Sequence, residues 1–343
     1  MEFLASKADV SALFEAWQKD YDIYAPKLFV GGGRFSDTDV IRYARITSPD
    51  EIVWDKKSLY SFKEALIPPS ETLFFYSGTN VTESDAPRPA IIFLRTCDMA
   101  AVARLDQIYE KNGAPDYYYD RKRKAMKFVV MPCKSTCEEG YCVSMGTNVP
   151  KGYDMAMDLA ADGTYRIDAV DPAFSDLLNK IDENAAVDDK FHIPYVTENK
   201  VRVSIPRDLT IDVMKSHIWD EYNYRCIACG RCNYVCPTCT CFTMQDVSYD
   251  ANGVLGERRR VQASCMVDGY TDVAGGASYR KKYGERMRFK ALHKVYDFNQ
   301  RFGYQMCVGC GRCTDVCPEY ISFSRIINRL EEGMKEVRAN GSN

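Results

Sequence analysis

The stretch CIACGRCNYVCPTCTC, residues 226 to 241, places six cysteines in sixteen positions. Its first part spaces Cys226, Cys229, Cys232 and Cys236 as C-x2-C-x2-C-x3-C, with Pro237 directly after. The same spacing returns in CVGCGRCTDVCP, residues 307 to 318, with Cys307, Cys310, Cys313, Cys317 and Pro318. Three thiols at steps of three let one looping segment wrap three corners of a compact metal centre. Small residues beside them, Ala228, Gly230, Gly309 and Gly311, allow the backbone to come close.

This is the run used by bacterial ferredoxins for 4Fe–4S clusters, in which the fourth cysteine ligates the other cluster. The expected ligand sets are Cys226, Cys229, Cys232 and Cys317 for one cluster, and Cys307, Cys310, Cys313 and Cys236 for the second. Zinc is the competing reading. Zinc sites usually pair two CxxC units across a spacer, without a third cysteine at the same step and a closing CP. Two full copies of the run favour iron and sulfide.

The totals set the frame. With 343 residues the chain is long enough for two domains, each with its own core. A hydrophobic share of 46% and a charged share of 27% describe a globular protein, and a net charge of -3 argues against a general nucleic-acid binder. No apolar run approaches the roughly 20 residues needed to span a membrane. The opening MEFLASKADVSALFEAW lacks the basic start and apolar core of an export signal, so a cytoplasmic place is expected. In a reducing cytosol fifteen cysteines point to metal rather than to disulfides, and an odd number cannot all pair.

Four cysteines precede residue 200 and eleven lie between 226 and 317. The expected architecture is α+β. A mixed α/β domain spans 1–210, and a mostly helical two-cluster ferredoxin-like domain with a long insert between its motifs spans 211–343. In the first part Val10, Leu13, Phe14 and Trp17 fall at helical spacing. IRYARI (41–46), LFFYS (73–77), AIIFL (90–94) and MKFVVM (126–131) read as strands, and 155–170 as a hairpin before a helix from about Pro172. The helical face between the strands at 90 and 126 makes a crossover, which lays the two strands parallel with both carboxyl ends on one edge. Ligands of such sheets lie outside that edge. Cys97 and Cys133 follow the two strands, and Cys137 and Cys142 come soon after, so these four are expected to hold a third 4Fe–4S cluster, with structural zinc as the alternative. Cys239, Cys241 and Cys265 lack a complete set of partners and read as buried thiols.

The 70 residues between Cys236 and Cys307 include GERRRVQ and SYRKKYGERMRFKALHK. Residues 257–301 carry eleven Lys or Arg against five Asp or Glu. Such a run reads as a solvated face, as a docking surface for an acidic partner, or as a field acting on the clusters. No G-x-G-x-x-G lies between a strand and a helix, GGGR at 31–34 lacks a P-loop lysine, and His192, His217 and His293 are scattered. Electrons are carried, but no catalytic residues are assigned.

CIACGRCNYVCPTCTCFTMQD, QASCMVDGYTDVAGGASYRKKYGERMRFKALHK and MCVGCGRCTDVCPEYISF together resemble the iron–sulfur subunits of the anaerobic sulfite reductase family. More broadly they are similar to the beta subunits of cytoplasmic sulfhydrogenases, and LRTCDMAAVARLDQIY and CVSMGT extend the likeness into the first half. The resemblance implies a non-catalytic electron-transfer role in a hetero-oligomer. A flavin subunit would oxidise NADH, this chain would relay single electrons, and a sirohaem subunit would reduce sulfite to sulfide. Flavin, NAD and sirohaem would then sit on other chains, with no membrane or nucleic-acid partner. The alternative partner is a nickel–iron hydrogenase. A self-contained sirohaem reductase fits less well, because the intervening cysteines and both CP endings are explained by the ferredoxin runs.

Overall fold

The computed structural model describes residues 1–35, 37–187 and 192–341. They form two compact units. The first takes Met1–Thr136, Asn148–Thr197 and Met244–Arg260, and the second Cys137–Thr147, Glu198–Thr243 and Val261–Asn343. The units therefore interleave along the chain, where a single boundary near 210 was expected.

The first unit is built on an eight-stranded sheet. In chain order its elements are β1 (Glu2–Ala5), α1 (Lys7–Asp20), β2 (Asp22–Phe29), β3 (Val40–Ile46), α2 (Lys63–Leu66), β4 (Ser70–Ser77), β5 (Asn80–Glu83), β6 (Ala90–Arg95), α3 (Thr96–Tyr109), α4 (Tyr117–Lys124), β7 (Met126–Met131), β8 (Met155–Leu159), β9 (Tyr165–Ala169), α5 (Pro172–Ile181) and β10 (Ala186–Val187). The sheet order is β10-β1-β9-β8-β7-β6-β2-β3. At its centre β2, β6, β7 and β8 pair in parallel, and antiparallel pairs close both sides.

The sequence explains most of these choices. Ser6 caps α1 in a capping box with Asp9, and Val10, Leu13, Phe14 and Trp17 are the buried stripe. All six residues of β6 are buried, as a strand covered on both faces requires. Phe93 of that strand lies 5.8 Å from the Phe14 ring and 6.4 Å from Trp17, which joins helix to sheet. The strand β2 escapes a reading from sequence because Pro26 interrupts it. Only Asp22, Ile23 and Tyr24 pair with β6, so from Pro26 onward the strand has β3 alone and loses no ladder bond.

A smaller sheet of order β11-β12-β4-β5 is completed by β11 (Phe242–Ser248) and β12 (Leu255–Gln262), a hairpin from the insert between the cysteine runs. Its basic residues are engaged locally. Arg258 grips Asp246 through two hydrogen bonds of 2.6 and 2.7 Å, and buried Arg260 reaches Glu71 at 3.1 Å and Asp116 at 2.9 Å.

One carboxylate of this unit ties stability to pH. Ser48 and Glu51 form a capping box on the 3-10 turn Pro49–Glu51. The Lys27 ammonium, then the Thr47 amide at 2.8 Å, hold the Glu51 carboxyl down at about 2. A carboxyl lowered from 4.5 contributes stability that is full above that value and is lost as pH falls towards 2. Replacing Glu51 with Gln is expected to flatten the pH dependence of the denaturation midpoint in that window and to lower the midpoint itself above pH 6, where the contribution of the carboxylate is full.

The second unit contains α6 (Tyr222–Arg225), α7 (Arg231–Tyr234), a small ladder of β13 (Asp272–Val273) with β14 (Ala277–Ser278), α8 (Tyr283–Leu292), α9 (Phe298–Phe302), α10 (Arg312–Asp315), α11 (Phe323–Asn328) and α12 (Leu330–Gly341). A π-helical turn, His293–Asp297, joins α8 to α9. Trp219, Met287, Ala291, Ile327 and Leu330 lie at its core. Among the described residues no helix is long and apolar enough to cross a membrane.

Candidate metal centres

The two cysteine runs take the same backbone path. Ala228 and Gly230 have φ of 55° and 73°, and Gly309 and Gly311 have 67° and 76°. Each second left-handed residue starts a single helical turn, α7 or α10, that carries the third cysteine. Two left-handed residues around one cysteine bend the chain into a cup, and the amides of Ala228 and Gly309 donate to the thiols of Cys226 and Cys307. Ala228 adopts this conformation without being glycine, a strain that persists only where surrounding structure enforces it.

Each run lines a cavity, and each cavity also takes a cysteine from the other run. The first is walled by Cys226, Cys229, Cys232 and Cys317, with Met266, Met287 and Ile326 filling its apolar side. The second is walled by Cys236, Cys307 and Cys310, with Tyr141 and Thr238. Cys313, Lys290 and Phe323 line both. Among the described residues no three His, Cys, Asp or Glu side chains converge as they would on a single ion. A set of several thiols around each cavity is the donor chemistry that a polynuclear iron–sulfur cluster takes. Burial pushes the Cys226, Cys307 and Cys313 thiols up, so their ionisation needs a bound cationic group to draw the protons off.

Three neighbours of these cavities give no motif in the sequence. Tyr141 is fully buried, places its hydroxyl 3.3 Å from Cys307 Sγ, and donates its amide to the Gly309 carbonyl at 2.7 Å. Thr147 donates its hydroxyl to the Val308 carbonyl at 2.7 Å, so the segment 137–147 is a lining strip for the second run. Lys290 and Lys294 are the other two, buried at 4% and 3% exposure one helical turn apart. Burial works against their charge. In their thiolate form, the sulfurs of Cys232 and Cys313 at Lys290, and of Cys236 and Cys239 at Lys294, outweigh it and hold both ammonium groups above the ordinary lysine range. The basic run is thus not uniformly a solvated face. A lysine pair at i and i+4 among Met287, Ala291 and Leu292, on an otherwise core-facing helix stripe, was the available signal.

The remaining cysteines divide. Cys97 lies in the first turn of α3 and Cys133 just beyond β7, both in the first unit, each two residues past the paired strand ends Arg95 and Met131. Cys137 and Cys142 belong to the second unit, where the Cys142 thiol meets the Asn199 side chain at 3.7 Å. Cys239 and Cys265 are buried, and Asn233 donates to Cys265 Sγ at 3.1 Å. Cys241 bonds to the Cys265 thiol, which lowers it to about 6 and raises Cys265.

Comparison with known proteins agrees with this geometry. Residues 225–321 match the 4Fe-4S dicluster domain family. The chain is 29% identical over 305 residues to sulfhydrogenase 2 subunit beta of Pyrococcus furiosus, covering 85% of this chain and 90% of that protein. No solved structure matches. With two cysteine runs folded alike, each contributing to the other's cavity, the chain is an iron–sulfur protein related to the sulfhydrogenase beta subunit.

Proposed function

We propose that this chain is the electron-relay subunit of a hydrogenase complex of the sulfhydrogenase type. The observation that carries this reading is the pair of adjoining cysteine-walled cavities with Cys313 and Lys290 common to both. A bound 4Fe–4S cluster takes up and releases one electron at a time. Cys226, Cys229, Cys232 and Cys317 would hold the first, and Cys307, Cys310, Cys313 and Cys236 the second. Met266, Met287 and Phe323 give the cavities apolar walls, which keep water from the sulfurs. The wall common to the two cavities supports direct electron exchange between the sites on this reading.

A third cluster on Cys97, Cys133, Cys137 and Cys142 extends the relay. Cys97 and Cys133 support it by closing two adjacent parallel strands at one level. On this reading the anaerobically purified protein holds about twelve irons per chain, and Cys133→Ser removes about four. About eight irons in the unaltered protein removes the third cluster from the proposal.

The likeness to a sulfhydrogenase subunit favours a hydrogenase partner, whereas the segment QASCMVDGYTDVAGG favours a sulfite reductase with flavin and sirohaem subunits. A tagged chain isolated anaerobically with its partners separates them. Bleaching of the visible iron–sulfur absorbance under hydrogen supports the hydrogenase complex. A sirohaem band with sulfite-driven reoxidation, and no response to hydrogen, overturns it in favour of sulfite reductase.

A further inference from the structure

We infer that Lys290 and Lys294 are positioning residues for the relay, Lys290 setting the reduction potentials of both cluster sites together and Lys294 setting the step between them. The inference rests on the cluster reading above and goes on to which side chains tune it.

The geometry distinguishes the two lysines. Lys290 lines both cavities, hydrogen-bonds to Cys232 of the first and lies 5.3 Å over the ring of Phe323, which also borders both. Lys294 lines the second cavity alone. Its Nζ donates to Thr238 Oγ1 at 2.8 Å, and Thr238 Oγ1 is 3.5 Å from Cys236 Sγ. With its oxygen already accepting from Lys294, the Thr238 hydroxyl has its proton available for that sulfur. The π-helical turn fixes this placement. The Lys294 carbonyl accepts the amides of Met306 and Cys307, at 3.0 and 3.3 Å, and so ties the lysine to the start of the second run.

Reduction adds one negative charge to a site. A cation held beside it, out of water, stabilises that charge far more than an exposed one could, since neither solvent nor salt screens it. Lys290 faces both sites and raises both potentials in parallel, leaving their difference unchanged. Lys294 acts on one and favours the electron there. Hydrogen bonding to a ligand sulfur adds in the same direction.

The test is a potentiometric titration of the cluster-loaded full chain, followed by electron paramagnetic resonance, with iron and sulfide measured for every variant. Cys310→Ser, by removing one signal, assigns each midpoint to its cavity. Lys290→Gln is expected to shift both midpoints to more negative potential, Lys294→Met only that of the second cavity, and Lys290→Arg neither. Should Lys290→Gln fail to load, Lys290→Met and the single-site effect of Lys294→Met still decide. Loaded variants with unmoved midpoints overturn this inference and leave the cluster reading standing, as does a Lys290 variant that moves one midpoint alone. An unaltered chain without iron and sulfide overturns both.

Discussion

Replacing Cys317 with Ala is expected to remove about four irons and their sulfide, and the cluster lost is the one that depends on Cys226, Cys229 and Cys232. Cys317 closes the second run in sequence, yet it lies on the wall of the first cavity, where the Ile321 amide donates to its sulfur at 3.3 Å. The converse holds for Cys236, which closes the first run and lines the second cavity. Cys236→Ala should therefore leave the cluster of the first three cysteines in place and remove the other. Iron and sulfide analysis with the magnetic resonance spectrum of each variant reads the result. If Cys317→Ala instead abolished the signal that also vanishes in Cys310→Ser, each run would hold its own cluster and the crossed assignment would be wrong.

The second large effect is steric. Gly311 has φ +76°, and a Cβ there would lie 2.3 Å from the Glu139 carbonyl oxygen and 2.5 Å from its carbon. Both are backbone atoms within the strip 137–147, which is itself tied to Gly309 through Tyr141, so neither side yields cheaply. Gly311→Ala is expected to cost the second unit about 3 kcal/mol or more, combining backbone strain with displacement of the strip. Gly303 has a similar φ of +79° but nothing within 4 Å of its Cβ position, so Gly303→Ala should cost only about 1–2 kcal/mol. Because metal loss makes unfolding irreversible, the comparison is the rate at which cluster absorbance bleaches in guanidinium. Equal rates for the two variants would show that the strip gives way without cost.

What the sequence by itself determined is what depends on neighbours along the chain. The two cysteine runs are legible because their spacing is enforced covalently, and folding only reproduces one cup twice. The strands at 90 and 126, their parallel pairing, the helix with Val10 to Trp17 and the hairpin before Pro172 follow from periodicity and from the handedness of a crossover. The tertiary structure decided the rest, because those features depend on contacts between distant segments. Tyr141 meets Cys307 across 166 positions, and no local pattern marks either as the other's partner. The hairpin of β11 and β12 leaves the insert to complete a sheet with β4, which makes one expected boundary into several. Lys290 and Lys294 look in sequence like part of a charged run. Only burial beside thiolate sulfurs turns them from solvated charges into fixed ones, and burial is a property of the folded chain rather than of its residues.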